Sequence, residues 1–274
     1  MIKDTNKDLQ PQKSASWDTR SRFFGNSIQG VLLKNLPEVL NYHIHNWHIH
    51  CIFSFLENNP PARLLDIGCG YGRLSLPLLE RFSALQLFGI DLSTHYVELY
   101  KKSLKHPALA CSIQNLPSDL GVFDCILVVT VLMYIPKQDL EAAISGIIRH
   151  LKENGKLIII EKHCSGNFFL NPLGLRNLIF RHSPANEEIE TGGYCFRKAD
   201  ITPLIQNQGW HIERELRLPI TTTLMIPIYI LCKILPRRLS QAFLRGISAM
   251  DHLFQRMPFP SLHAAYLIKK AEVK

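Results

Sequence analysis

Asp66, Gly68, Gly70 and Gly72 fall within the ten residues 64–73, LLDIGCGYGR, and Asp91 follows Gly70 by 21 positions. Glycines at alternate positions let a ligand approach bare backbone, because each missing Cβ removes a clash and permits positive φ. A carboxylate one strand further on supplies a charged acceptor for hydroxyl or amine donors. These residues need a frame. Leu64, Leu65 and Ile67 form a short apolar run typical of a buried parallel strand, and Leu74, Leu76, Leu78 and Leu79 continue as a helical pattern. The unit reads strand, glycine loop, helix, with loop N–H groups and a helix N-terminus expected beside the ligand. LQLFGIDLS then ends a second strand on Asp91.

The form D-x-G-C-G-x-G resembles motif I of the class I S-adenosylmethionine-dependent methyltransferases. The glycine spacing departs from the G-x-G-x-x-G of nicotinamide dinucleotide sites. The resemblance implies S-adenosyl-L-methionine as cofactor. Asp66, Gly68, Gly70 and Gly72 are then expected around its methionine part, and Asp91 with Leu92 at its ribose. Ser112 or Gln114 would contact the adenine, because the aspartate common in the family a few residues before Leu-Pro is missing here. Val129 to Tyr134 falls at the end of the fourth strand. There Val129 is expected beside the cofactor and Tyr134 beside the transferring methyl.

The β/α alternation is regular from Pro60. Strands are expected near 63–67, 86–91, 109–113, 123–130 and 156–162, with Asn154-Gly155 turning into the fifth. Helices are expected near 72–82, 94–104, 138–151 and 198–208, and two more strands near 210–217 and 263–270. This gives a doubly wound, Rossmann-like α/β sheet of seven strands. By the resemblance it is mostly parallel with the last strand antiparallel. Residues 1–16 read as a flexible tail, 17–59 as an N-terminal helical lid, and 60–274 as the methyltransferase domain. That domain carries insertions at about 164–193 and 219–258, the second a C-terminal helical insertion.

Trp17, Arg22, Phe23 and Phe24 in the lid, with Tyr134 and Phe168, are candidate acceptor contacts. His163, just past the fifth strand, is the candidate general base for an O- or N-acceptor. His43, His45, His48 and His50 interrupt a helical stretch, but only His45 and His48 share a three-residue spacing and no carboxylate or cysteine completes a set. They read as core or surface histidines, without metal.

The 274 residues carry a net charge of +8, which favours anionic partners without choosing among them. Seven cysteines without a CxxC pair predict free thiols in a reducing compartment, and the polar N-terminus shows no signal peptide, so a cytoplasmic location is expected. In the second insertion Leu239, Phe243, Ile247, Met250, Phe254 and Met257 recur at helical spacing, with Arg237, Arg238, Arg245 and Arg256 outside that stripe. Such a helix suits either the core or a membrane surface. The reading is a methyltransferase for a small-molecule acceptor: either an apolar or lipid-like one, with peripheral lipid contact, or a polar metabolite or sugar. A non-catalytic cofactor-binding partner and a nucleic-acid methyltransferase are the alternatives.

Overall fold

The computed structural model of the protein describes residues 6–165 and 193–271. Seven strands form one sheet: β1 (Arg63–Ile67), β2 (Gln86–Asp91), β3 (Ala108–Ala110), β4 (Phe123–Val129), β5 (Leu151–Lys162), β6 (Trp210–Arg217) and β7 (His263–Lys270). Their order is β3-β2-β1-β4-β5-β7-β6. The first five are parallel, and β7 pairs antiparallel with both β5 and β6. The central strands are apolar on both faces, as strands covered on both sides must be. Leu157 and Ile159 enter one core layer, Ile158 and Ile160 the other.

Helices α1 (Asn6–Phe24) and α2 (Glu38–Leu56) precede the sheet, and α3 (Ser75–Arg81), α4 (Thr94–Leu104) and α5 (Leu140–Ile148) connect its strands. Helix α6 (Lys198–Gln206) leads into β6, and α7 (Pro219–Thr223), α8 (Met225–Ile234) and α9 (Arg237–Phe254) fill the chain between β6 and β7. On one face α2 buries Trp47, Cys51, Ile52 and Phe55 with Leu64, Leu127 and Ile158. On the other, Ala143, Ile144 and Ile147 of α5 pack with Ile201 and Ile205 of α6. A third apolar cluster joins Leu40 and Ile44 of α2 to Ile228 of α8 and Leu244 and Ile247 of α9. No helix among the described residues is long and apolar enough to cross a membrane.

Four expectations are corrected here. Residues 6–16 are helical, because α1 starts at Asn6. Asn154-Gly155 is no turn ahead of β5: Leu151 pairs with Phe123 and Lys156 with Cys125, so residues 152–155 bulge inside the strand. Cys164 and Cys195 form a disulfide, leaving Cys51, Cys69, Cys111, Cys125 and Cys232 as thiols. The two sulfurs meet because the chain returns after residue 164 to place Phe196 beside His163, a contact that no sequence spacing shows. The apolar stripe read on α9 is split between two faces: Ile247 is buried and Phe243 packs against the third cluster, whereas Leu239 and Met250 are exposed, as is Met257 past the helix end. Phe168 and most of the first insertion lie outside the described residues.

Candidate active site

The carboxyl ends of β1, β2 and β4 border a cavity of about 420 Å³, at the point where strand order reverses between β1 and β4. Gly68 and Gly70 form part of its wall at φ +74° and +53°. A Cβ on Gly68 would run into Val131 Cγ2, and one on Gly70 would stand 3.1 Å from Val31 Cγ1. Gly72, at φ +91°, lies off the cavity, where a Cβ would come within 2.5 Å of Leu104 Cδ1. Its role is packing of the loop on α4.

Four of the loop's N–H groups are spent internally. Gly68 and Cys69 donate to the Ile90 carbonyl at 2.7 and 2.9 Å, and Gly72 donates to Cys69 O at 2.9 Å. Gly70 donates to Asp91 Oδ2 at 2.8 Å. For these residues the loop contributes room and shape, in place of the donor cradle expected from sequence. Asp66 is also structural: it is buried and accepts from Ser75 Oγ at 2.6 Å, tying β1 to α3. Burial lifts its pKa to about 6, against the Ser75 bond and the charge of Arg73.

Asp91 faces the cavity from the end of β2, with Leu92 beside it. Its other oxygen accepts from Ser93 N–H at 2.9 Å. Burial raises its pKa to about 6, while the bonds from Ser93 and Gly70 pull the other way. Two N–H donors leave a carboxylate further acceptor sites. Ser112, Ile113, Gln114 and Asn115 line the cavity from the turn after β3. Gln114 Nε2 donates to Asp139 Oδ2 at 2.8 Å, which fixes the amide's direction.

Helix α1 closes the cavity with Lys13 and Trp17. The Trp17 ring meets Tyr134 edge-on at 5.2 Å between centroids, and Lys13 Nζ donates to the Tyr134 carbonyl at 3.2 Å. The helix is fastened beside the mouth. Asp18 accepts from Ser93 Oγ, Thr94 Oγ1 and His95 N–H at the start of α4, and Ser14 Oγ donates to Leu92 O. Arg20 locks the following turn by donating to the carbonyls of Gln29, Gly30 and Leu32. Trp17 and Tyr134 thus meet at the cavity as expected. Arg22, Phe23 and Phe24 do not line it: Arg22 and Phe23 lie further round α1 from Trp17, and Phe24 lies two turns further along the same face. Phe23 is 82% exposed, and Phe24 packs beside Gly30.

His163 is likewise absent from the cavity wall. Its backbone bridges Phe196 and donates to Leu262 O, and its Nδ1 contacts Ser165 Oγ at 2.6 Å. Burial lowers its pKa to about 4, so the ring stays neutral. Side chains alternate along a strand, which sets His163 on the same face as Glu161. Glu161, in contrast, acts on the site indirectly. Buried, it accepts from the N–H groups of Val131, Leu132 and Met133, the segment whose first residue walls the cavity. Burial drives its pKa to about 8 despite those three donors.

Val129, Thr130 and Val131 complete the wall at the end of β4. Thr130 holds φ +57°, a costly conformation for a β-branched residue, kept by its N–H bond to Ile160 O and its Oγ1 bond to Val129 O. None of Lys13, Val31 and Tyr96 carries a sequence signal for its place here. His45 and His48 turn instead to Arg73: Arg73 Nη1 lies 2.9 Å from His45 Nδ1 and 3.5 Å from His48 Nδ1.

Residues 64–155 match the Methyltransf_25 family, a methyltransferase domain. With the sheet order above, this part of the chain is a class I S-adenosylmethionine-dependent methyltransferase domain. A stretch of 155 residues is 28% identical to ribosomal RNA small subunit methyltransferase C of Klebsiella pneumoniae, covering 54% of this chain and 45% of that protein. Another of 167 residues is 26% identical to O-methyltransferase 3 of Dictyostelium discoideum, covering 51% and 38%. The match spans about half or less of the length of these curated relatives. Among solved structures, magnesium protoporphyrin IX methyltransferase from Synechocystis PCC 6803 with bound SAH aligns with a TM-score of 0.55 at 20% identity, over 77% of this chain and 91% of that one. The plantazolicin methyltransferase BpumL, in complex with a triazolic desmethylPZN analog and SAH, aligns with a TM-score of 0.58 at 16% identity, over 98% and 100%. At these identities the likeness is one of fold.

Proposed function

We propose that the protein transfers a methyl group from S-adenosyl-L-methionine to a small-molecule acceptor with an apolar or lipid-like body. The observation that carries the reading is the meeting of Gly68, Gly70 and Asp91 at one cavity. Bare backbone at positive φ gives room for a close-fitting ligand, and Asp91 keeps acceptor sites for a vicinal diol such as a ribose. When bound, the cofactor's sulfonium supplies an activated methyl carbon. Trp17, Tyr134 and Ile135 offer an apolar wall that aligns an acceptor and excludes water, which together lower a displacement barrier by several kcal/mol.

No histidine stands among the described residues lining the cavity, and its apolar walls contribute alignment and desolvation. The experiment is calorimetric titration with S-adenosylhomocysteine, with reduced nicotinamide dinucleotide in parallel, followed by turnover assays on apolar hydroxy and carboxylic acids. Micromolar affinity for the first ligand alone supports the reading. Binding of neither withdraws it. Binding without turnover of any acceptor leads to the cofactor-binding partner, and turnover only on RNA, steeply weakened by salt, leads to a nucleic-acid methyltransferase.

A further inference from the structure

Helix α9 has two apolar faces. Ser240, Leu244, Ile247 and Asp251 are buried against the body of the protein. A second line, Leu239, Ala242, Gly246, Met250 and Leu253, advances by three or four residues and continues to Met257. It sits roughly a third of the helix circumference away from the buried line. It faces outward: Leu253 is 75% exposed, Leu239 56%, Met250 46% and Met257 45%. On the preceding helix α8, Ile230 and Ile234 are exposed as well, at 51% and 70%. Bulky apolar side chains exposed at helical spacing mark an interaction surface.

Charge selects the partner. Arg238 and Arg245 are exposed and seven residues apart, which sets them along one margin of the outward line, and Arg256, just past the helix end, is exposed as well. Between Leu216 and Ala271 the chain has a single carboxylate, Asp251. That group is buried and occupied by the N–H groups of Ile220 and Thr221 and by Thr221 Oγ1. A second copy docking through this face would bring arginines together with no accessible carboxylate in that segment to neutralise them. A surface of anionic headgroups supplies the missing charge, and the apolar line supplies the insertion.

We propose that this face of α9 docks on an anionic lipid surface. Leu239, Met250, Leu253 and Met257 enter the headgroup boundary, and Arg238, Arg245 and Arg256 meet lipid phosphates. The contact is peripheral and stands apart from methyl transfer.

The test is co-sedimentation of the full chain with phosphatidylcholine vesicles, with and without phosphatidylglycerol. Binding is expected to the anionic vesicles and to fall at high salt. Leu253→Glu combined with Met250→Glu should reduce partitioning about tenfold or more. Arg238→Gln and Arg245→Gln should each reduce it about fivefold. Both sets should keep the circular-dichroism spectrum and the affinity for S-adenosylhomocysteine. Gly70→Val should bind vesicles like the wild type, so a failure of the methyltransferase reading would leave this result unaffected. Absence of binding to anionic vesicles, or undiminished binding by the double glutamate variant, overturns the proposal. So does a dimer in sedimentation equilibrium that the double glutamate variant dissolves, because a second copy would then be the occupant.

Discussion

His48 on α2 and His263 at the start of β7 share a hydrogen bond of 2.8 Å between Nε2 and Nδ1, with their rings stacked at 5.0 Å between centroids. Both rings are buried, and Arg73 approaches His48 from the other side. Burial lowers both pKa values, that of His263 to about 3, with the charges of Lys162 and Arg73 adding to the effect. The pair therefore joins a helix near one end of the described chain to a strand near the other in a single neutral contact.

The sign of its pH dependence follows. Unfolded, each histidine takes a proton near pH 6.5, whereas folded His263 does so only near about 3. Between those values the unfolded state binds more protons, so this contribution is complete above pH 6.5 and is lost as pH falls. Buried Asp66 and Asp91, both raised to about 6, act with the opposite sign below that pH. Urea titrations of the wild type and His48→Gln should therefore be compared as a difference. The variant should show a shallower acid slope, by up to about 1.4 kcal/mol per pH unit. Ring resonances of His48 or His263 that titrate near pH 6.5 would contradict the neutral pair.

Gly70→Val should abolish cofactor binding while the protein remains folded. The position holds φ +53°, and a side chain there meets Val31 and projects at the cavity wall. Unchanged affinity for S-adenosylhomocysteine would remove the glycine loop from the site.

Asp91→Ala should weaken that affinity by about 1–3 kcal/mol, the range for losing a charge-assisted hydrogen-bond partner. It also orphans the Gly70 N–H, so Asp91→Asn, which keeps one oxygen, is the companion variant. A loss of only a few tenths in both would move the ribose contact elsewhere.

The cavity and its glycine wall were legible in sequence because both depend on local spacing. Glycines two apart and an aspartate one strand later need no knowledge of distant chain. Tyr134 and Trp17 were found through family resemblance, with no spacing behind them. The place of His163 was not legible because the end of a strand does not show that Phe196 returns to bridge it. The Cys164–Cys195 bond and the His48–His263 pair span 31 and 215 residues, beyond the reach of any local pattern. On α9 the periodicity was visible, but two apolar lines a third of a turn apart merge into one broad stripe when burial is unknown.

Glu161→Ala should cost roughly 3 kcal/mol of stability and weaken cofactor binding, because more than one buried N–H loses its acceptor. Val131 and Leu132 both donate to Oε1, so Glu161→Gln should retain most of both properties. Equal losses in the two variants, read by urea denaturation and calorimetry, would show that the three amides are not what Glu161 supports.

Alkylation of the denatured chain without reductant should label five thiols, and with reductant all seven. Intact-mass spectrometry gives the count directly. Seven labels without reductant would leave Cys164 and Cys195 as neighbours without a bond.

β7 comes last among the strands yet lies between β5 and β6. During synthesis, β5 and β6 cannot be joined through the sheet until residues 263–270 have emerged, and until then each presents an open edge. The cavity, built on β1, β2 and β4, has no such wait. The nascent chain can thus complete its ligand-binding half while the α9-bearing half is still unpaired. A ligand that binds the early half stabilises it before the sheet is complete.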